Sequence, residues 1–172
     1  MVVNIVHIKP QDVVLLQQIS RQTFIETFSE HNTAEDMQVY LNNNLSEQKL
    51  LSELNHPESE FYAKYLNNKA VAYLKINFGQ AQTEQNLIDA MEIERLYVLK
   101  EYQGKQIGLK LLIKAIKIAH SKSLKTIWLG VWEKNLNAIS FYTYHNFKVF
   151  DTHVFQLGND EQIDLLMKTN II

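Results

Sequence analysis

The stretch 101-EYQGKQIGLKLL-112 decides how this chain is read. Gly104 and Gly108 bracket Lys105, Gln106 and Ile107, and the run passes straight into a helical pattern. Such a loop has what a diphosphate requires. Glycines let the backbone approach closely, and the first amides of a helix point outward where the macrodipole favours an anion. Lys105 and Lys110 add positive charge. Many loops of this kind start helices and bind nothing, so the surroundings must separate a phosphate cradle from a plain helix start. No Gly-Lys-Ser/Thr follows, which excludes a P-loop, and the spacing is not the dinucleotide-binding fingerprint.

Outward from the loop, "MEIERLYV" (91–98) reads as a strand, and a helix runs from about Gly108 to Ser121. Leu111, Leu112, Ala115, Ile116 and Ala119 form its core face, with Lys110, Lys114 and Lys117 opposite. "TIWLGV" (126–131) is the nearly all-apolar run of a strand covered on both faces. "NLNAISFYTYH" (135–145) is a helix closed by Asn146 in the left-handed position where glycine is usual. The strand–helix–strand unit predicts a parallel, right-handed crossover.

Before this unit, "VNIVHIKP" alternates as a strand and stops at Pro10. Val13, Leu16, Ile19, Phe24 and Phe28 then recur at helical spacing. Thr33 and Ser46 are N-caps for two shorter helices, "TAEDMQVYL" and "SEQKLLSEL". "FYAKYL" and "KAVAYLKI" flank Asn67-Asn68, a hairpin signal. A polar segment, "GQAQTEQNLIDA", leads into the strand before the glycine loop. "FKVFDTHVFQL", the turn "GND" and "EQIDLLMK" add two more strands. The expected class is α/β with a mixed sheet and helices on both faces.

The 172 residues fit a single domain, 46% hydrophobic and 21% charged, with a formal net charge of −2. That balance argues against a dedicated nucleic-acid binder. Without cysteine there is no disulfide, thiolate ligand or cysteine nucleophile, and a cytoplasmic location is expected. No signal peptide is evident, and no apolar run approaches the ~20 residues of a membrane span. His7, His31, His56, His120, His145 and His153 show no metal-ligand spacing, so no metal is expected.

The strand, glycine loop and helix, with "WLGVWEKNLNAISFYTYHNF" behind them, resemble the GCN5-related N-acetyltransferase (GNAT) superfamily. Its acetyl-coenzyme A loop reads Gln/Arg-x-x-Gly-x-Gly/Ala. Gln103 and Gly108 match the ends, and Gln106 departs at the middle glycine. A second motif is met by Asn135, Ala138, Tyr142 and Phe147. Across the whole chain, from "TFIETF" to "GNDEQIDLLM", the sequence is similar to PaiA-type spermidine/spermine N-acetyltransferases. The resemblance implies a mostly antiparallel seven-stranded sheet with a central, splayed parallel pair, and acetyl-CoA as cosubstrate.

It also implies roles. The backbone of Leu96, Tyr97 and Val98 would pair with the pantetheine arm. The amides of Gln103, Gly104, Lys105, Gln106, Ile107, Gly108, Leu109 and Lys110 would hold the pyrophosphate. Asn135 would bond the cofactor backbone, cap its helix, or do both. Tyr142, two turns after Asn135, would protonate the departing thiolate or sit in the core. An alkylammonium acceptor must lose a proton before attack. Glu94, then Glu92, are the candidate bases, the alternative being a salt bridge to Arg95 or a lysine. Phe24, Thr27 and Phe28 would line the acceptor cleft, and Glu26, Glu30, Glu35 and Asp36 would attract a polycation or form a solvated face. Trp128 and Trp132 flank Gly130, one packing inward and the other bordering the site. The implied partner is a small-molecule amine, with no nucleic acid or membrane, in a monomer or homodimer. Two alternatives stand beside this: a protein or peptide acetyltransferase, and a non-catalytic acetyl-CoA-binding regulator.

Overall fold

In the computed structural model, which describes residues 4–171, local rules account for most elements. β1 (Asn4–His7) is followed by a 3-10 turn at Pro10–Asp12 and by α1 (Val13–Phe28). Val3, the start of the expected first strand, lies outside the described residues. The apolar stripe of α1 buries Val13, Leu16, Ile19, Phe24 and Phe28, the five positions marked by spacing. In α2 (Ala34–Asn44) the Thr33 hydroxyl accepts from the Asp36 amide at 3.1 Å, and in α3 (Glu47–Leu54) Ser46 accepts from the Lys49 amide at 3.2 Å. Each cap contributes about 1 kcal/mol. β2 (Ser59–Leu66) and β3 (Lys69–Asn77) turn through Asn67 and Asn68, both left-handed at φ 47° and 63°. That is the geometry of a type I′ hairpin.

β4 (Ala90–Val98), α4 (Ile107–Ser121) and β5 (Thr126–Trp132) form the crossover, followed by α5 (Leu136–Tyr144), β6 (Lys148–Leu157) and β7 (Asp160–Asn170). The sheet order is β1-β2-β3-β4-β5-β7-β6, with β4–β5 parallel and the other pairs antiparallel. α1, α2 and α3 cover one face, over Phe61, Ala63, Tyr73 and Trp132. α4 and α5 cover the other, over Leu74, Ile93, Leu129 and Val131. One detail of α4 differs from expectation. Ile118 and Ile107 are buried, whereas Ile116 is only partly covered, because the core stripe drifts round the helix.

A bulge shapes the centre of the sheet. Lys75 pairs with Arg95 and Ile76 with Ile93, so Glu94 is an extra residue in β4. An extra residue breaks the alternation and sharpens the local twist. The parallel ladder ends just before it: Ala90, Met91 and Glu92 pair with Thr126, Ile127 and Trp128, and no pairing follows. β4 and β5 therefore diverge as a V, leaving main-chain groups on their facing edges free.

Candidate active site

A cavity of about 190 Å³ passes through this V. Leu96, Val131, Asn135, Ala138 and Tyr142 line it on the α5 side, and Phe24, Phe28, Tyr40, Tyr73 and Trp132 on the α1–α2 side. The unpaired edge from Leu96 to Val98 is available to an extended ligand arm, which would add to β4 as a strand does.

At the mouth of the V the glycine loop leads into α4. The Gln103 side chain donates to the Val98 carbonyl at 3.0 Å and ties the loop to the end of β4. Gly104 adopts φ 74° and Gln106 φ 60°. Gln106 is the N-cap and offers no side-chain cap, so the Ile107, Gly108 and Leu109 amides lack an intrahelical acceptor. Lys110 is the first to bond back, to the Gln106 carbonyl at 3.2 Å. Gly108 seats the first turn tightly: a Cβ there would stand 3.7 Å from Phe141, 3.8 Å from Leu96 and 3.9 Å from Val98. Uncapped amides at a helix start, with lysines at 105 and 110, suit a diphosphate.

Across the V, Asn135 caps α5 by accepting from the Ala138 amide at 3.2 Å. That bond uses Oδ1 and leaves the Nδ2 donors for a ligand. Tyr142 is buried, lines the cavity, and packs edge-on to Phe141 and Phe147. Burial pushes its phenol above the ordinary value, so the hydroxyl is held protonated at neutral pH.

The floor on the α1 face is acidic. Because of the bulge, Glu94 and Arg95 both fall on this face with Glu92. Glu94 binds Lys75 Nζ at 2.5 Å and Arg95 at 3.2 Å, and Glu53 of α3 takes Arg95 through both oxygens and Lys75 at 3.1 Å. Burial alone would raise Glu94, but the Arg95 and Lys75 cations override it and hold its carboxyl at about 2. Glu92 is raised by burial, an effect reinforced by the Glu94 charge and opposed by its donors. It accepts from the Thr83 amide at 2.8 Å, the Thr83 hydroxyl at 2.6 Å and Asn77 at 3.0 Å.

The polar segment between β3 and β4 forms a strap over this face. Thr83 is anchored on Glu92, Gln82 accepts from the Trp128 indole at 2.8 Å, and Glu84 meets His153 of β6 at 3.0 Å. Beyond His153, at 3.8 Å, stands Asp164 of β7. Asp164 lines the cavity, and burial lifts its carboxyl to about 6, with His153 pulling the other way.

Aromatic rings make the remaining wall. Phe24 stacks on Tyr40 at 4.2 Å and on Phe28 at 4.5 Å, while Phe28 meets Trp132 at 5.3 Å and Phe155 at 6.4 Å. Ring faces beside carboxylates attract an organic cation.

Residues 16–147 match the model of the acetyltransferase (GNAT) family. The chain belongs to that family. An uncharacterised N-acetyltransferase from the pepI 3′ region of Lactobacillus delbrueckii subsp. lactis is 37% identical over 170 residues, covering 99% of this chain and 98% of the relative. The spermidine N(1)-acetyltransferase of Thermoplasma acidophilum is 26% identical over 146 residues, 83% of this chain and 86% of that one. The crystal structure of the PaiA N-acetyltransferase of T. acidophilum with coenzyme A superposes with a TM-score of 0.81 at 23% identity, covering 99% of both chains. The enzyme is thus an N-acetyltransferase with the GNAT fold and acetyl-CoA as its cosubstrate.

Set against the GNAT pattern, most residues singled out from the sequence come together here. Leu96 and Tyr97 line the cavity, as do Asn135, Tyr142, Phe24, Phe28, Glu92 and Glu94. Thr27 does not; its hydroxyl bonds back to the Thr23 carbonyl at 2.7 Å. For Glu94 the salt-bridge alternative is the one built, with Arg95 and Lys75 as partners. Of the outer carboxylates, Glu26 accepts from the Lys100 amide and Asp36 from the Asn159 amide, and none lines the cavity. Sequence reasoning missed Asp164, His153, Glu84, Tyr40 and Phe155. An aspartate set into the apolar run "IDLLM" was the available signal for Asp164, which the register places opposite Trp132.

Proposed function

We propose that the enzyme acetylates a primary amine of a small polyamine, spermidine or spermine, by direct attack with both substrates bound. The observation that carries this reading is the cavity itself, where Glu92, Glu94 and Asp164 face aromatic walls. A polycation is complementary to that surface, and stacked rings favour its methylene stem and ammonium ends. Tyr40 of α2 closes the wall over the cleft, which suits a short acceptor rather than a folded protein tail. The similarity to a spermidine N(1)-acetyltransferase points the same way.

Acetyl-CoA supplies the activated acetyl thioester. The amides from Gly104 to Leu109 hold the diphosphate, those expected at Gln103 and Lys110 being already bonded to the Lys100 and Gln106 carbonyls, while the free edge of Leu96–Val98 aligns the arm and Asn135 adds a side-chain donor. Tyr142, kept protonated by burial, is the acid that delivers a proton to the leaving sulfur. With no cysteine in the chain, there is no thiol to carry the acetyl group between substrates. Glu92, which lines the cavity with no lysine or arginine partner among the described residues, faces the acceptor's distal ammonium, whereas the Glu94 charge is already balanced by Lys75 and Arg95.

Thiol release from acetyl-CoA, measured with spermidine, spermine, putrescine, lysine and an N-terminal peptide, tests the acceptor class. Saturable release with the polyamines alone is expected. Release with the peptide and none with polyamines would overturn it.

A further inference from the structure

We propose that Asp164 is the catalytic residue that takes the proton from the acceptor ammonium, with His153 and Glu84 linking it to solvent; this rests on the cavity being the amine-acetylation site. Three observations of geometry carry it.

The first is placement. Asp164 pairs with Trp132 of β5 on one side and His153 of β6 on the other, so all three side chains stand on the cavity face. The neighbouring backbone is bare at Gly130, where an added Cβ would be 3.4 Å from Asp164 Oδ2. The glycine leaves that carboxylate accessible beside the V. The second is availability. Each of the other acidic side chains on this floor is committed: Glu94 and Glu53 to Lys75 and Arg95, and Glu92 to Thr83 and Asn77. Among the described residues no lysine or arginine pairs with Asp164. The titratable groups that face it are His153 from β6, Tyr40 from α2 and Tyr97 from β4, and His31 stands edge-on to Trp132 beside it.

The third is an exit. His153 Nε2 lies 3.8 Å from Asp164 Oδ2, and its Nδ1 is 3.0 Å from Glu84, which is one-third exposed. A small side-chain shift brings the 3.8 Å gap to hydrogen-bond distance. A carboxyl lifted to about 6 is ionised at neutral pH yet holds a proton far better than Glu94 does.

The ammonium N–H bond breaks, its proton moves to Asp164, and the freed lone pair forms the C–N bond as the C–S bond breaks. The sulfur takes a proton from Tyr142, the second nitrogen proton restores the phenol, and the proton on Asp164 leaves through His153 and Glu84. One proton is released per acetyl transferred.

The test is the pH dependence of kcat/KM, from pH 5 to 9, for wild type and Asp164→Asn with whichever amine the wild type acetylates. The expected result is a loss on the order of 100-fold and disappearance of the acidic limb near pH 6, with coenzyme A binding retained. Activity within about 3-fold of wild type and an intact limb would overturn the proposal. Two readouts stand apart from that variant. A 13C NMR titration of the Asp164 carboxyl in the resting protein should show a midpoint near 6, and one near 4 would overturn the assignment. His153→Gln removes the group that links Asp164 to Glu84, so kcat should fall while coenzyme A binding is retained; unchanged turnover would also overturn it. If polyamines fail but another amine is acetylated, the acceptor reading falls while the Asp164 test proceeds on that amine.

Discussion

Glu94→Gln and Asp164→Asn each remove one carboxylate from the same cavity, and their effects on stability should have opposite signs. Glu94 is held at about 2 in the fold against an ordinary 4.5, a difference of roughly 3 kcal/mol at about 1.36 kcal/mol per pH unit. That stabilisation is present above pH 4.5 and is lost as pH falls toward 2. Asp164 is lifted from 3.8 to about 6, again roughly 3 kcal/mol, but here the protonated form is the favoured one. Its contribution is present below pH 3.8 and is lost as pH rises through 6. Their side chains are only 20% and 17% exposed, so solvent screening removes little of either figure. Urea unfolding at pH 8 should therefore find Glu94→Gln destabilised by up to about 3 kcal/mol. Asp164→Asn should be more stable than wild type by a similar upper bound. The wild type should gain about 1 kcal/mol on going from pH 8 to pH 5, and the Asp164 variant should not. A destabilised Asp164→Asn at pH 8, or a pH 5 gain that survives the substitution, would refute the reasoning. Such a gain in stability beside a loss of turnover is the trade-off expected of a buried catalytic charge.

Tyr142→Phe should lower kcat by about 100-fold while leaving coenzyme A affinity within a few-fold, checked by steady-state kinetics and calorimetry. A large loss of affinity would instead make Tyr142 a packing residue. Gln106→Gly should relieve a left-handed residue and stabilise the fold by up to about 1 kcal/mol, less the extra freedom glycine brings to the unfolded chain. Urea midpoints would measure it, and clear destabilisation would mean the Gln106 side chain contributes contacts that outweigh its backbone strain.

Much of this was legible in the sequence because it rests on short-range rules. Thr33, Ser46, Asn67-Asn68 and Asn146 each act within a few residues, and the stripe of α1 is plain periodicity. Gln106 shows the rule and its exception together: the loop keeps the left-handed turn that glycine would take, with a glutamine tolerating φ 60°. What could not be read depends on register. The bulge at Glu94 turns two consecutive charged side chains to one face, which strict alternation does not foresee. Glu53 and Lys75 are committed by α3 docking on β3 and β4, contacts between positions far apart in the chain. Asp164 and His153 become neighbours only once β6 and β7 pair and fold beside β5. The same tertiary contacts decide which carboxylate is neutralised by cations and which is left with an unusual proton affinity.

A carboxylate-bearing, aromatic-walled cavity is expected to select a polycationic amine. The most direct measurement is kcat/KM for spermidine against hexylamine, a monoamine without the distal charge, at low and at high salt. The expected result is at least a ~10-fold preference for spermidine that shrinks as ionic strength rises. Equal values for the two amines, or a preference that does not respond to salt, would contradict it.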